Sequence, residues 1–140
     1  MQNPPPGQQS SIGLAPNVAA ALSYIWIVGL VFFFIEKENK FIRFHAMQSV
    51  LYGVLWFVVM MVMFVLSIII SIIAGVASAA AGSAGGLIGL LLWLISLIVW
   101  LVVPLIYVGG LIFAAIKAYQ GTLFKLPIIG NMAEKISGGA

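Results

Sequence analysis

At 140 residues, 64% of them hydrophobic and only 6% charged, the chain is too short for several domains and far below the roughly one-quarter charged share of soluble proteins. The absence of cysteine removes disulfides, thiolate metal sites and cysteine nucleophiles, and a net charge of +3, carried beside apolar runs, points to membrane topology rather than nucleic acid. The composition is that of an integral protein of the lipid bilayer, and the expectation is an all-α membrane helical bundle.

Residues 1–15 hold Pro, Gln, Ser and Gly without a charged side chain, which predicts a disordered tail. The run Val18–Ile35 is uncharged and about one bilayer crossing long, with Pro16 suited to its first turn. No basic region precedes it, so cleavage as a signal peptide is not expected. A charged turn from Glu36 to Arg43 follows. A second helix is expected to begin between Asn39 and Phe44 and to end between Gly75 and Ala81, longer than a single crossing demands. The Gly- and Ala-rich stretch at Gly82–Gly86 predicts an uncharged turn. The third block, Leu87–Lys117, contains Pro104 and Gly109-Gly110, where a proline kink is expected. Beyond it, Gly121 suits a helix cap, and Asn131 with Glu134 has capping-box spacing for a short terminal helix. This gives a tail at 1–15, a transmembrane helical domain at 16–120 and an amphipathic tail on the membrane surface at 121–140.

The polar groups concentrate where the second helix begins. His45, Gln48, Ser49 and Tyr52 fall at i, i+3, i+4 and i+7, one stripe that must face protein, headgroups or water. Two roles are open for Arg43, His45, Gln48, Ser49 and Tyr52. Arg43 and His45 can anchor the helix at the headgroups, or the stripe can line a helix contact or hydrated vestibule gated by His45. Glu36 and Glu38, near Lys40 and Arg43, read as a solvated loop with weak ion pairs. Small residues four apart, Ser67/Ser71/Gly75 and Gly110/Ala114/Ala118, predict close helix packing.

All charged side chains and the single histidine lie within Glu36–His45 and Lys117–Lys135. Positive-inside reasoning places both segments in the cytoplasm, which with three crossings puts the N-terminus outside the inner membrane and the C-terminus in the cytoplasm. A split of the third block at Pro104 would give four crossings instead. Catalysis finds little to use: there is no Asp, one His cannot form a multi-histidine metal site, and no HExxH, GxSxG or phosphate loop is present. No catalytic residue, metal or cofactor is implied, and a non-enzymatic role is expected.

The stretch LSYIWIVGLVFFFIEKENKFIRFHAMQSV, with AYQGTLFKLPIIGNMAEK downstream, resembles the small bacterial and archaeal membrane proteins of unknown function that are similar to the Tic twenty-kilodalton subunit of chloroplast protein import. The resemblance covers Asn17–Lys135, with RFHAMQS and LPIIG its most specific signals. It implies a helical-bundle subunit of a membrane assembly linked to protein translocation. The alternative is a small homo-oligomeric channel or transporter with its polar mouth at His45–Tyr52.

Overall fold

The computed structural model describes residues 10–139 and is helical throughout: α1 (Pro16–Leu22), α2 (Trp26–Ile35), α3 (Lys40–Ala81), α4 (Ser83–Tyr119) and α5 (Ile129–Ser137), with no strand among the described residues. Two compact units result. One comprises residues 10–55 and 109–139, the other residues 56–108.

The unit 56–108 is a pair of helical arms, each of about 26 residues and roughly 39 Å long, enough to cross a hydrocarbon core of about 30 Å. They turn at Gly82, whose φ of 57° is cheap only for glycine. The most apolar window of each long helix has none of its residues buried within the chain, so lipid or another protein must cover this surface. The inner seam is narrow and specific. Trp56 stacks on Tyr107 at 4.3 Å, Trp100 Nε1 donates to Ser67 Oγ at 3.1 Å, and Ser78 Oγ donates to the Gly85 carbonyl at 3.0 Å. A Cβ on Gly85 would collide with the Ser78 backbone, so the arms approach most closely there.

Of the expected Ser67/Ser71/Gly75 stripe, this seam within the chain uses one member. Within this chain only Ser67 meets the other arm; Ser71 and Gly75 face outward, and the contact passes to Ser78. A strict four-residue repeat advances about 40° per step against the 3.6-residue helix, so after two steps it has left the contact face. Nor does the third block split: α4 runs unbroken through Pro104 and Gly109-Gly110.

In the other unit, the core gathers Ala20, Tyr24, Ala114, Ala118, Leu126 and Ile129, with Phe44, Met47 and Ala133 beside α5. Ala114 and Ala118 have no exposed surface, and the Tyr52 hydroxyl lies where a side chain on Gly110 would stand. α4 ends as its glycine predicts. Gly121 takes φ 73°, its N–H bonds the Ala118 carbonyl at 2.9 Å, and Thr122 N–H bonds the Lys117 carbonyl at 2.9 Å, the paired bonds of a Schellman cap.

Two expectations fail in this unit, and a third falls largely outside the described residues. The run Val18–Ile35 is not one helix but is interrupted at Ser23–Ile25, leaving arms of 7 and 10 residues. Ser23 Oγ bonds back to the Ala19 carbonyl at 2.9 Å, and Tyr24 N–H and Ile25 N–H close on Ala21 and Leu22 in tight turns. Of the tail at 1–15, residues 1–9 lie outside the described residues, while Ser10 and Ser11 are hydrogen-bonded to Glu36 rather than loose. Finally, α5 begins at Ile129, ahead of the expected Asn131 cap, and has no side-chain cap. A tight turn centred on Ile128, φ 69°, brings Ile129 N–H to the Pro127 carbonyl at 2.8 Å and starts the helix early; Glu134 instead pairs with Lys125 at 2.7 Å.

Candidate functional site

The polar stripe on α3 folds inward. His45 and Gln48 have no exposed surface and Ser49 almost none. They meet Tyr24, which the break after α1 turns toward them, and the connection between α4 and α5, which the Gly121 cap directs across the same face.

Gln48 is the hub. Its Oε1 accepts from Leu126 N–H at 3.1 Å, while its Nε2 donates to the Phe124 carbonyl at 3.0 Å and the Tyr24 hydroxyl at 2.7 Å. One backbone donor and one backbone acceptor fix which end of the amide is nitrogen. The rest follows in order. Since Gln48 donates to Tyr24, the Tyr24 hydroxyl is free to donate to His45 Nδ1, 3.0 Å away. Nδ1 is then the acceptor, so a neutral ring carries its proton on Nε2.

That Nε2 is buried and has no hydrogen-bond partner among the described residues. The ring is enclosed by Phe41 at 4.7 Å, Phe44 at 5.1 Å and Tyr24 at 5.9 Å between centroids. His45 therefore lies among aromatics inside the protein. Ser49 packs where a side chain on Gly29 would stand, and Tyr52 is half-buried against Gly110. Arg43 donates to the Glu36 carbonyl at 3.0 Å with its guanidinium carbon 5.0 Å from the centre of the Phe33 ring, a cation–π contact. The stripe thus joins α3 to three other segments of its own chain.

A second polar centre, where the sequence predicts a solvated loop, is instead enclosed. The Glu36 carboxylate accepts from Ser11 N–H and Ser11 Oγ, each at 2.8 Å, Asn39 N–H at 3.0 Å, Glu38 N–H at 3.1 Å and Ser10 Oγ at 3.2 Å. It forms no ion pair with Lys40 or Arg43; among the described residues the ion pair is Lys125 with Glu134. Asn39 in turn caps α3, its Oδ1 accepting from Ile42 N–H at 3.2 Å. Burial pushes the Glu36 carboxyl upward, but the amide and hydroxyl donors from Asn39, Ser11 and Glu38 outweigh it and hold the group below the usual carboxylate range. The donors together, rather than burial, decide the sign.

Tyr24, Glu36 and Ser11 are the participants that the stripe on α3 does not reveal. The available signal was Ser23-Tyr24, two polar residues amid an apolar run, where a membrane helix carries them only with partners. Among the described residues no group of three or more His, Cys, Asp or Glu side chains gathers as metal ligands would.

Residues 11–133 match the model of the magnetosome magnetite crystal formation protein family. A UPF0132 membrane protein of Methanocaldococcus jannaschii is 37% identical over 92% of this chain and 94% of its own length. Another from Archaeoglobus fulgidus is 37% identical over 88% of this chain and 96% of its own. No solved structure matches. These names speak of membrane proteins and crystal formation, and none speaks of protein import. With a family match over most of the chain and archaeal relatives aligned nearly end to end, the chain belongs to the magnetosome magnetite crystal formation protein family, together with the UPF0132 membrane proteins.

Proposed function

We propose that the protein is a non-enzymatic subunit of a membrane assembly, joining a second copy or a larger complex through the outward faces of residues 56–108. The observation that carries this is division of labour along α3. Its polar stripe is used up inside the chain on Gln48, Tyr24 and the Phe124–Leu126 backbone, whereas its most apolar window is bare. The small outward residues Ser71 and Gly75 leave room on that bare face for another helix backbone.

The alternative of a homo-oligomeric channel with its mouth at His45–Tyr52 has less support, because His45 and Gln48 are already bonded to Tyr24 and to the Phe124 and Leu126 backbone. The family description suggests contact with a mineral. This chain has three carboxylates in all, one enclosed at Glu36 and one paired at Glu134, a poor set for gripping a cationic surface. The resemblance to the import component adds protein translocation as one kind of assembly the subunit would serve. In orientation, the cations at 36–43 and 117–135 favour the cytoplasmic side. Three crossings need residues 16–35 to supply the first, while α3 and α4 have the length for two.

Site-specific photocrosslinking in cells tests the reading, with the probe amino acid at Gly75. Discrete adducts with a second copy or with one other protein are expected. Lipid adducts alone, from Gly75 and from Ser71, would remove the assembly role.

A further inference from the structure

We infer that residues 10–36 form a re-entrant hairpin that enters and leaves the bilayer on one side, so that α3 and α4 are the only crossings and both termini share a face. The two ends of the segment are joined: Ser10 and Ser11 hydrogen-bond to Glu36 across 26 and 25 residues of sequence. A single crossing would hold those ends a bilayer thickness apart. The arms are also too short, since α1 spans about 10 Å and α2 about 15 Å against a core of about 30 Å.

The contacts trace the path. Asn17 Nδ2 donates to the Tyr119 carbonyl at the C-terminal end of α4 at 3.1 Å, and Tyr24 reaches His45 and Gln48. Trp26 then packs against Gly53, Gly29 against Ser49, and Phe33 under Arg43, so α2 runs back along α3 toward its start at Lys40. The hairpin climbs no farther than Gly53, roughly 20 Å from Asn39 along the helix.

The tip is built for lipid depth. Ile25, Trp26 and Ile27 face outward at 58%, 54% and 67% exposure, while Ser23 and Tyr24 are buried. Non-helical backbone survives at such depth only when its polar groups are satisfied inside the protein. Here Ser23, Tyr24 and Ile25 N–H bond the Ala19, Ala21 and Leu22 carbonyls at 3.0, 3.2 and 3.0 Å. The N-terminus, the 36–39 loop and the 120–139 tail then share one face with all six Lys and Arg, the cytoplasmic one by the positive-inside rule. This places the N-terminus opposite to where three crossings would put it.

The chain has no cysteine, so single cysteines report position cleanly. Ala15→Cys, Glu38→Cys and Ala84→Cys would be challenged with a membrane-impermeant maleimide in spheroplasts and in inverted vesicles, with detergent-opened samples as the labelling control. Ala15→Cys and Glu38→Cys are expected to label from the same side and Ala84→Cys from the other. Ala15→Cys labelling from the Ala84 side would overturn the hairpin. A fusion ahead of Met1 answers without substitution: a fluorescent protein that matures only in the cytoplasm is expected to glow, and a dark fusion with active alkaline phosphatase at the same junction overturns the proposal. Because neither readout depends on a partner, the hairpin and the assembly role stand or fall separately.

Discussion

Gln48 satisfies three groups at once, and two of them belong to backbone that has no other regular structure to bond with. Gln48→Leu keeps most of the volume and removes all three bonds. Each buried partner left unpaired costs about 1–3 kcal/mol, so a loss of about 3 kcal/mol is expected in detergent-solubilised protein. Thermal or denaturant unfolding measures it; a loss within 0.5 kcal/mol, the usual bound for a neutral surface change, would mean that water replaces Gln48 in the network. Glu36 makes a pH-dependent prediction. Its folded carboxyl titrates below the usual value, so its contribution is fully present above the ordinary carboxylate pKa of about 4.3 and is lost as pH falls through the lowered folded value. The charged groups around it are Lys37, Glu38, Lys40 and Arg43, none of them paired with its carboxylate. Proteolysis of the N-terminal segment should therefore accelerate below about pH 4 in the native protein. In Glu36→Gln it should be fast at every pH, because an amide cannot accept the same set of donors. An equally steep acid response in that variant would assign the transition to another group.

At the scale of elements, the long helices are legible from sequence because their apolar runs are bounded by strong signals. Asn39 caps α3, Gly82 turns it and Gly121 ends α4, each a residue suited to its conformation. The interruption at Ser23–Ile25 is not legible in the same way. Summed hydropathy is blind to it, since the break is made by tertiary partners, His45 and Gln48, that lie 21 and 24 residues from Tyr24. The four-residue stripe leaves the seam within the chain by geometric drift, and Gly85 against Gly75 tests the difference. A side chain at Gly85 meets the Ser78 backbone, whereas one at Gly75 meets nothing within 4 Å. Gly85→Leu is expected to cost about 1–3 kcal/mol by forcing the arms apart, and Gly75→Leu to leave the fold unharmed. Gly75→Leu should nevertheless weaken self-association if that outward face packs on a second copy. Parallel unfolding and crosslinking measurements on the two variants separate folding from assembly.

For the whole molecule, charge is as unevenly placed as polarity. Residues 56–108, including the turn at Gly82, carry no charged side chain, and every Lys and Arg lies in the unit made of residues 10–55 and 109–139. By the positive-inside rule, orientation would rest on the contrast between the uncharged turn and the six cations near Lys40 and Tyr119. The contrast can be reduced from either side. Ser83→Lys with Ala84→Arg puts two cations in the turn, and Lys37→Gln with Lys40→Gln removes two exposed cations from the opposing loop without touching the Arg43 bond to Glu36. The double change in the turn should yield a minor inverted population, and all four changes together a larger one, read as maleimide labelling of Glu38→Cys from both sides of the membrane. A population that keeps one orientation through all four changes would show that the enclosed network around Gln48 and Glu36 folds before insertion is complete, and that this fold, not loop charge, decides which side the termini occupy.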